Sequence, residues 1–208
     1  MDQDPCMKIS CYTGGMVETN SYLIESSAGS WLIDAAEGVA DWLAEADRKI
    51  DALILTHQHY DHVMDASILQ QAGVKIFAHQ AYSQELTLEK AARAWGMPLR
   101  VSPYVIDAFL VPGEPLDMAG ECYEVFHVPG HSVDSLTIYH KSQCVLFSGD
   151  TLFAGSVGRS DLPGGNSMQL IDEITEKLLG LPADVKVYPG HGPSTTIGRE
   201  MAHNPFLN

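Results

Sequence analysis

Short apolar runs alternate with longer amphipathic runs along this chain. The short runs are rich in branched and aromatic residues and are bounded by Gly, Asp or Pro, which is typical of β-strands. They predict strands at residues 7–11, 21–25, 30–34, 51–55, 74–78, 122–127, 135–139, 144–147 and 184–188. Apolar residues at helical spacing predict helices at residues 39–46, 63–72, 80–95 and 166–179. This order of elements favours an α/β fold in which two β-sheets pack together and helices cover their outer faces.

The composition is that of one globular domain. The 208 residues are 45% hydrophobic, enough for a sizeable core, so we expect a single domain over residues 1–208. No apolar stretch approaches the roughly 20 residues that cross a bilayer, and the acidic start does not resemble a secretory signal peptide. The net charge of −15 argues against a nucleic-acid partner, which needs clustered Lys and Arg. We therefore expect a cytoplasmic protein with neither a membrane nor a nucleic-acid partner, and the sequence sets no oligomeric state.

The four cysteines form no Cys-x-x-Cys pair. Cys6 and Cys11 are close enough in sequence to bridge, but reduced thiols in a cytosolic protein are the simpler interpretation. Cys122 and Cys144 lie in predicted strands, where we expect small buried thiols. His140 has no partner in the sequence pattern and is expected to be solvated.

The six residues from His57 to His62 hold three imidazoles and one carboxylate, directly after the apolar run of residues 52–55. Neutral imidazole nitrogens and carboxylate oxygens are the ligands that zinc and similar metals take. Because the chain has only nine His, chance clustering is a weak explanation. We interpret the segment as part of a metal site rather than as a solvated His-rich loop.

Three later loops each place one further residue of the same kind beside a Gly, directly after a predicted strand. They hold His131, Asp150 and His191. Gly lets the chain approach a buried ion closely, and loops on a rigid scaffold concentrate catalytic groups. One such loop is an ordinary turn, but three of them together with residues 57–62 indicate one shared site.

On these segments the chain resembles the metallo-β-lactamase superfamily and, within it, the short glyoxalase II-like hydrolases (hydroxyacylglutathione hydrolases). Residues 148–153, 155–161, 189–193 and 203–208 add to the resemblance. It implies an αββα sandwich of two mixed sheets with a metal centre at one edge. The β-lactamases of this superfamily look different at the position of Asp150, which disfavours antibiotic hydrolysis.

The resemblance also implies two divalent metal ions, most readily zinc, with iron or manganese as alternatives. Seven residues are implied as ligands, in two sets that share a bridging carboxylate: His57, His59 and His131 for the first ion, Asp61, His62 and His191 for the second, and Asp150 between them. Asp61 and Asp150 are the candidate catalytic carboxylates, because either could steer the proton of a hydroxide that the ions share.

The implied reaction is the hydrolysis of a thioester by a bridging hydroxide that a binuclear centre activates. The partner would be a small-molecule thioester of glutathione, split into a hydroxy acid and glutathione. Three alternatives stay open: a mononuclear iron oxidoreductase similar to persulfide dioxygenases, a hydrolase of the same fold that acts on lactones or phosphoesters, and a metal-binding protein without activity. The Gly-His-Gly-Pro sequence at residues 190–193 disfavours the first, because those relatives usually lack it.

Two features depart from the family. Residues 132–134 read Ser-Val-Asp where the family usually has Thr-Pro-Gly, so Asp134 either adds a negative charge near the metals or caps a turn. The chain ends soon after His191, with Arg199 as the one cation there, whereas full-length glyoxalase II enzymes bind glutathione through a helical extension. A weaker or differently built grip on glutathione is therefore expected.

Three further positions carry expectations. Asp34 either orients a metal-bound imidazole or caps a turn. Arg159 and Asp161 are expected to form a salt bridge that fixes their loop. Residues 94–115 are apolar and broken by prolines, and they read as a pocket lid, a subunit contact or, most simply, a packed connection.

Overall fold

The computed structural model describes residues 7–27, 29–118 and 120–207. Two six-stranded β-sheets form its centre. The first sheet contains, in spatial order, β1 (Lys8–Gly14), β2 (Thr19–Glu25), β3 (Ser30–Ile33), β4 (Ala52–Ile54), β5 (Lys75–Ala78) and β6 (Ala108–Phe109). Its first three strands pair antiparallel, and β3 to β6 pair parallel.

The second sheet is mostly antiparallel. The remaining strands are β7 (Pro115–Met118), β8 (Glu121–His127), β9 (Leu136–His140), β10 (Val145–Gly149), β11 (Leu152–Phe153), β12 (Ser156–Val157), β13 (Lys186–Pro189) and β14 (Thr195–Thr196). The spatial order is β14-β13-β10-β9-β8-β7, with β10 and β13 parallel, while β11 and β12 form a separate small hairpin.

The described residues form six helices beside the sheets: α1 (Val39–Glu45), α2 (Tyr60–Val63), α3 (Ala66–Gln71), α4 (Glu89–Ala94), α5 (Ser167–Lys177) and α6 (Ile197–His203). Successive side chains of a strand point to opposite sides of the sheet. In the central strands both sides are buried, one against the other sheet and one against the helices. On β2, Ile24 belongs to the core between the sheets, while Leu23 packs in the cluster that includes Val39 of α1. On the other side, Ile174 of α5 packs in one cluster with Leu146 of β10. The layers therefore run helix, sheet, sheet, helix, which confirms the predicted αββα sandwich.

Two predicted helices are shorter than the pattern indicates. The helix expected at residues 63–72 is divided into α2 and α3 around Asp65, which leaves the helical conformation and accepts a hydrogen bond from Ala40 N at 2.9 Å. Of residues 80–95 only α4 is helical. Leu88 before it has a positive φ of 61°, and the carboxylate of Glu89 accepts hydrogen bonds from Thr87 and Tyr82. In both places a side chain that bonds to a neighbouring segment outweighs the local helical pattern.

The burial expected for His140, Cys122 and Cys144 was wrong. His140 is buried, 1% exposed, and its Nε2 lies 2.8 Å from Oε2 of Glu121. Cys122 is exposed on β8, and Cys144 is partly exposed in the turn before β10 with a φ of 52°. Cys6 lies outside the described residues, and Cys11 is a free thiol. None of the helices among the described residues is both long and apolar enough to span a bilayer.

Candidate metal centre

All seven residues predicted as ligands lie at one edge of the sandwich, just after β4, β8, β10 and β13. Within each of three sets, the potential ligand atoms lie no more than 4.8 Å apart: His57, His59 and His131; His57, His62 and Asp150; and Asp61, His62 and His191. The first and third sets are the two that the family resemblance implied. The first and second sets share His57, and the second and third share His62, so the three sets form one continuous cluster.

Asp150 lies between the histidines of the cluster. Its Oδ1 is 3.4 Å from Nε2 of His62, and its Oδ2 is 3.5 Å from Nε2 of His131 and 3.3 Å from Nε2 of His191. Asp61, in contrast, lies close to histidines of one outer set only: its Oδ2 is 3.3 Å from Nε2 of both His62 and His191. The carboxylate of Asp150 is therefore the one that faces histidines of both outer sets.

Hydrogen bonds between the two sheets fix this edge. Leu136 N, at the start of β9, donates to Thr56 O at 2.7 Å, directly before the His57–His62 segment. Asn20 N of β2 donates to Gly190 O at 2.7 Å, next to His191, and Gly190 N donates to Gly149 O at 2.8 Å. Since backbone bonds join the loops themselves, the ligand-type side chains are held by main chain as well as by packing.

The outward-facing ring nitrogens of the histidines have protein partners. Nδ1 of His62 lies 2.8 Å from Oδ2 of Asp34, and Nδ1 of His131 lies 2.7 Å from Arg159 O. Nδ1 of His191 lies 3.0 Å from Val17 O. Such contacts fix ring orientation and tautomer, which leaves the Nε2 atoms aimed into the cluster. Asp34 thus orients an imidazole of the cluster, and it also accepts from Thr56 N at 2.7 Å.

The inward-facing atoms lack such partners. Within the described part of the chain, Nε2 of His57, His62 and His131 and Oδ1 of Asp150 are buried and form no hydrogen bond; His62 Nε2 and Asp150 Oδ1 face each other at 3.4 Å without forming one. A buried polar atom without a partner is costly. A divalent cation among these atoms would satisfy them together, and neutral imidazoles with carboxylates are a donor set that zinc and iron accept. The residues present therefore fit a metal ion.

The ionisation of the cluster is set by burial and by mutual charge. Burial and then the charge of His131 lower the pKa of His59 to about 3, and burial with neighbouring imidazoles lowers that of His57 well below its usual value. Burial also opposes protonation of His191, but Asp150 and Asp61 outweigh it and raise the pKa of His191 to about 10. A cation that binds beside His191 must therefore displace a proton from it, so metal binding weakens as the pH falls.

Burial alone would raise the pKa of Asp61, yet the charge of His62 and the contact with His191 lower it to about 2. The pKa of Asp150 is likewise held well below its usual value by His62 and His191 against the effect of burial. Both carboxylates are ionised at neutral pH, the form that binds metals.

A cavity of about 420 Å³ opens onto the cluster. His59, Asp61, His131, Asp150 and His191 form its polar side, and the apolar side is lined by Val17, Leu88, Phe153, Val157 and Leu162. Arg159 also lines the cavity. Its Nε donates to Asp161 Oδ1 at 2.8 Å, which confirms the predicted salt bridge. This size suits a small-molecule ligand.

Two residues of the site, Thr19 and Thr56, were not named as site residues in the sequence analysis. Thr19 Oγ1 donates to Asp61 Oδ2 at 2.7 Å from a strand distant in sequence. Thr56 Oγ1 lies 3.1 Å from Nδ1 of His57 and donates to Asp34 Oδ2 at 2.7 Å. Thr56 adjoins the His-rich segment and could have been suspected on that ground, whereas Thr19 required the tertiary structure.

Comparison with known proteins gives matches over most of the chain. A family model described as the metallo-beta-lactamase superfamily matches residues 14–191, a span that includes all seven residues. The hydroxyacylglutathione hydrolase GloC of Haemophilus influenzae is 38% identical over 182 residues, which cover 83% of each chain. A structure of TTHA1623 in a di-iron-bound form superposes with a TM-score of 0.78 at 37% identity, covering 95% of this chain and 100% of that one. The BLEG-1 B3 metallo-beta-lactamase superposes with a TM-score of 0.85 at 33% identity, covering 96% and 99%.

Proposed function

Because this chain belongs to the metallo-β-lactamase superfamily, we propose that it is a metallo-hydrolase whose binuclear centre cleaves a thioester of the S-hydroxyacylglutathione type. Water adds across the carbonyl–sulfur bond, and the products are a hydroxy acid and glutathione. We place the reaction in the cytoplasm, which the free thiols of Cys11, Cys122 and Cys144 support.

One observation carries the proposal: seven ligand-type side chains converge, and the buried inward atoms of four of them have no hydrogen-bond partner among the described residues. An ordinary polar cluster would satisfy these atoms with protein donors and acceptors. The 38% identity to a hydroxyacylglutathione hydrolase supports the choice of a thioester over the other substrates of the fold.

In this proposal His57, His59 and His131 would hold one ion, Asp61, His62 and His191 would hold the second, and Asp150 would supply a carboxylate to both. When bound, such a pair of ions lowers the pKa of water to about 7 and polarises the substrate carbonyl. Zinc is the proposed metal because it suits mixed His and carboxylate ligands. Iron is the first alternative, supported by the di-iron-bound form of TTHA1623, and manganese is the second.

Asp61 and Asp150 are the proposed catalytic carboxylates. Both are ionised at neutral pH, because the neighbouring histidines outweigh burial and lower the pKa of each. Each can accept a hydrogen bond from the attacking water and so orient its oxygen toward the thioester carbon. Thr19 holds the carboxylate of Asp61 in place by donating to its Oδ2 at 2.7 Å. The thiolate is a good leaving group, so the reaction needs no strong general acid.

The direct test is hydrolysis of S-lactoylglutathione by the purified, zinc-loaded protein, with a chelated sample beside it. Turnover that chelation abolishes and zinc restores is expected. Asp150→Ala and His59→Ala should each lose it, while His203→Ala, which changes an exposed histidine outside the cluster, should retain it. Full activity in both of the first two variants would contradict the proposed centre.

A second candidate function is hydrolysis of a β-lactam amide: Asp150 disfavours it, whereas the likeness to the BLEG-1 B3 metallo-beta-lactamase, at 33% identity, favours it. The same samples can be offered a chromogenic cephalosporin. If the two-metal protein opened the lactam and left S-lactoylglutathione intact, the metal centre would stand and the thioester would be replaced as its substrate. Oxygen uptake with glutathione persulfide and one bound iron would instead point to the dioxygenase-like alternative.

A further inference from the structure

The proposed reaction makes no use of one buried carboxylate near the cluster. Asp134 is 1% exposed and lies three residues after His131. Its Oδ1 accepts a hydrogen bond from Ser132 Oγ at 2.5 Å, and its Oδ2 accepts one from Gln58 Nε2 at 3.3 Å. Burying an ionisable carboxylate costs free energy unless donors surround it, so a fold that retains one at this position gains something from its contacts.

The contacts of Gln58 extend this network to a third chain segment. Gln58 is fully buried, and its Oε1 accepts a hydrogen bond from Tyr104 Oη at 2.9 Å. Its amide nitrogen donates both to Asp134 and to Gln80 O, the latter at 3.0 Å. The side chain of Gln58, between His57 and His59 in the chain, is thus hydrogen-bonded to the loop of His131 and to residues 80 and 104.

The network joins the segments that carry one ligand set. The rings of His57 and His59 each pack against the ring of His131, with centroids 5.0 Å and 4.5 Å away. Gln58 stands between the first two histidines in the chain, and Ser132 directly follows the third. The bond from Gln58 to Asp134 therefore spans the gap that separates His57 and His59 from His131.

We infer that Asp134 is a positioning residue that holds the His57–His59 segment and the His131 loop at the separation that one metal ion requires. It acts through Gln58 and Ser132. The inference rests on the binuclear centre of the proposed function. Residues 132–134 read Ser-Val-Asp and contain neither Pro nor Gly. Hydrogen bonds, and not a proline ring, therefore restrict the conformation of this loop.

Replacing Asp134 should therefore weaken the binding of one of the two metal ions and leave that of the other unchanged. In Asp134→Leu the apolar side chain fills similar space but accepts no hydrogen bond, so affinity for one zinc should fall about 10- to 100-fold while the other zinc is retained. Asp134→Asn should remain within about threefold of the wild type, because its Oδ1 can accept from Gln58 while its amide donates to the Ser132 hydroxyl. Gln58→Leu removes the same link from the other side and should reproduce the single-site loss if the Asp134→Leu chain does not fold.

The matched control is Glu89→Leu. Glu89 is also a buried carboxylate, 2% exposed, and accepts from two hydroxyls, Tyr82 at 3.0 Å and Thr87 at 2.8 Å, neither of which adjoins a ligand. It should lose thermal stability as Asp134→Leu does, but keep both metals. The experiment is a chelator-competition titration of zinc with each variant, together with the visible spectrum of the cobalt-substituted proteins.

The outcomes separate the two proposals. A wild-type chain that binds two zinc ions while Asp134→Leu binds both with unchanged affinity would overturn this inference and leave the proposed function intact. Equal metal loss in Asp134→Leu and Glu89→Leu would do the same, since it would reduce Asp134 to a stabilising group. A wild-type chain that binds no metal would overturn both. Loss of one zinc and of one cobalt absorption component, with the Asn variant near wild type, is the result expected.

Discussion

At the scale of single residues, the cluster requires the absence of a side chain at Gly190. A Cβ built there would lie 2.2 Å from Oδ1 of Asp150 and 2.7 Å from Cε1 of His62. Both side chains are buried, and each has further contacts that oppose its displacement: His62 with Asp34, and Asp150 with His131 and His191. Gly190 therefore allows the β13 loop to lie against the carboxylate that we propose as the bridge.

Gly190→Ala should displace Asp150 or His62 and lower kcat/KM for the thioester by about 100-fold, the usual cost of shifting a catalytic group by about 1 Å. Gly180→Ala is the matched control, since a Cβ at Gly180 would meet no heavy atom within 4 Å and its φ is not in the left-handed region. Kinetics and zinc content of the two variants make the comparison. Equal activities would show that the loop can move away at little cost.

At the scale of elements, α5 supports the loop of His131. Asn166 caps the helix by accepting from Gln169 N at 3.1 Å, and its own N donates to Gly130 O at 2.7 Å. Gly130 lies so close to the helix that a Cβ there would be 2.5 Å from Leu170 N. The start of the helix and the turn before His131 are thus packed as one unit.

The apolar side of α5 should govern its contribution to stability. Ile174 is fully buried, so Ile174→Ala should lower the free energy of unfolding by about 2–5 kcal/mol. Met168 on the same helix is 75% exposed, and Met168→Ala should stay within about 0.5 kcal/mol of the wild type. Urea unfolding of the metal-free proteins measures both. Because Ala favours helices at least as much as Ile or Met, a similar loss in both variants would contradict the assignment of the stability to the packing of Ile174.

The elements that carry a strong pattern were predictable. The central strands and α5 follow from runs of apolar residues, because burial on one or both faces leaves a period in the sequence. The two-residue strands β6, β11, β12 and β14, the four-residue strand β7 and helix α6 were missed. The shortest of them hold too few positions to reveal a period.

The ligand-type residues were predictable because glycines and strand ends mark them, whereas their supports were less so. For Asp34 the sequence left two interpretations open, an imidazole-orienting role and a turn cap, and only the structure shows its bond to His62. Thr19 could not be found, since its contact with Asp61 spans 42 positions of sequence. His140 was misjudged for the same reason: its partner Glu121 lies on the strand next to its own and not beside it in the chain.

At the scale of the whole molecule, the charge opposes an anionic substrate. The chain carries a net charge of −15 with only 12 Lys and Arg. A second cavity, of about 300 Å³, shares Tyr60 and Asp61 with the cavity at the cluster, and Arg100 lines it beside Leu99. Arg100 belongs to the proline-broken stretch of residues 94–115, which thus contributes to the surroundings of the site.

Arg100→Gln should raise KM for a thioester of glutathione by about 2- to 5-fold at low salt, the effect of one exposed charge pair, and leave kcat nearly unchanged. The difference should shrink as salt screens the charge. Arg199→Gln removes the same charge from a position that lines none of the cavities described here. Equal increases in KM for both variants would assign the effect to net charge rather than to Arg100.

The ligand-type residues are divided between the two sheets. Those of residues 57–62 follow β4 of the first sheet, while His131, Asp150 and His191 follow strands of the second. A cation held by residues of both sheets has its full set of ligands only when both halves of the sandwich have come together, and at 100 times its Kd it stabilises that assembled form by about 2.7 kcal/mol. The amount of bound metal would then report on correct assembly. If the two halves of the chain were expressed separately, each would bind the ion more weakly than the whole chain. The metal that is bound again after mixing would count the molecules in which the halves had recombined.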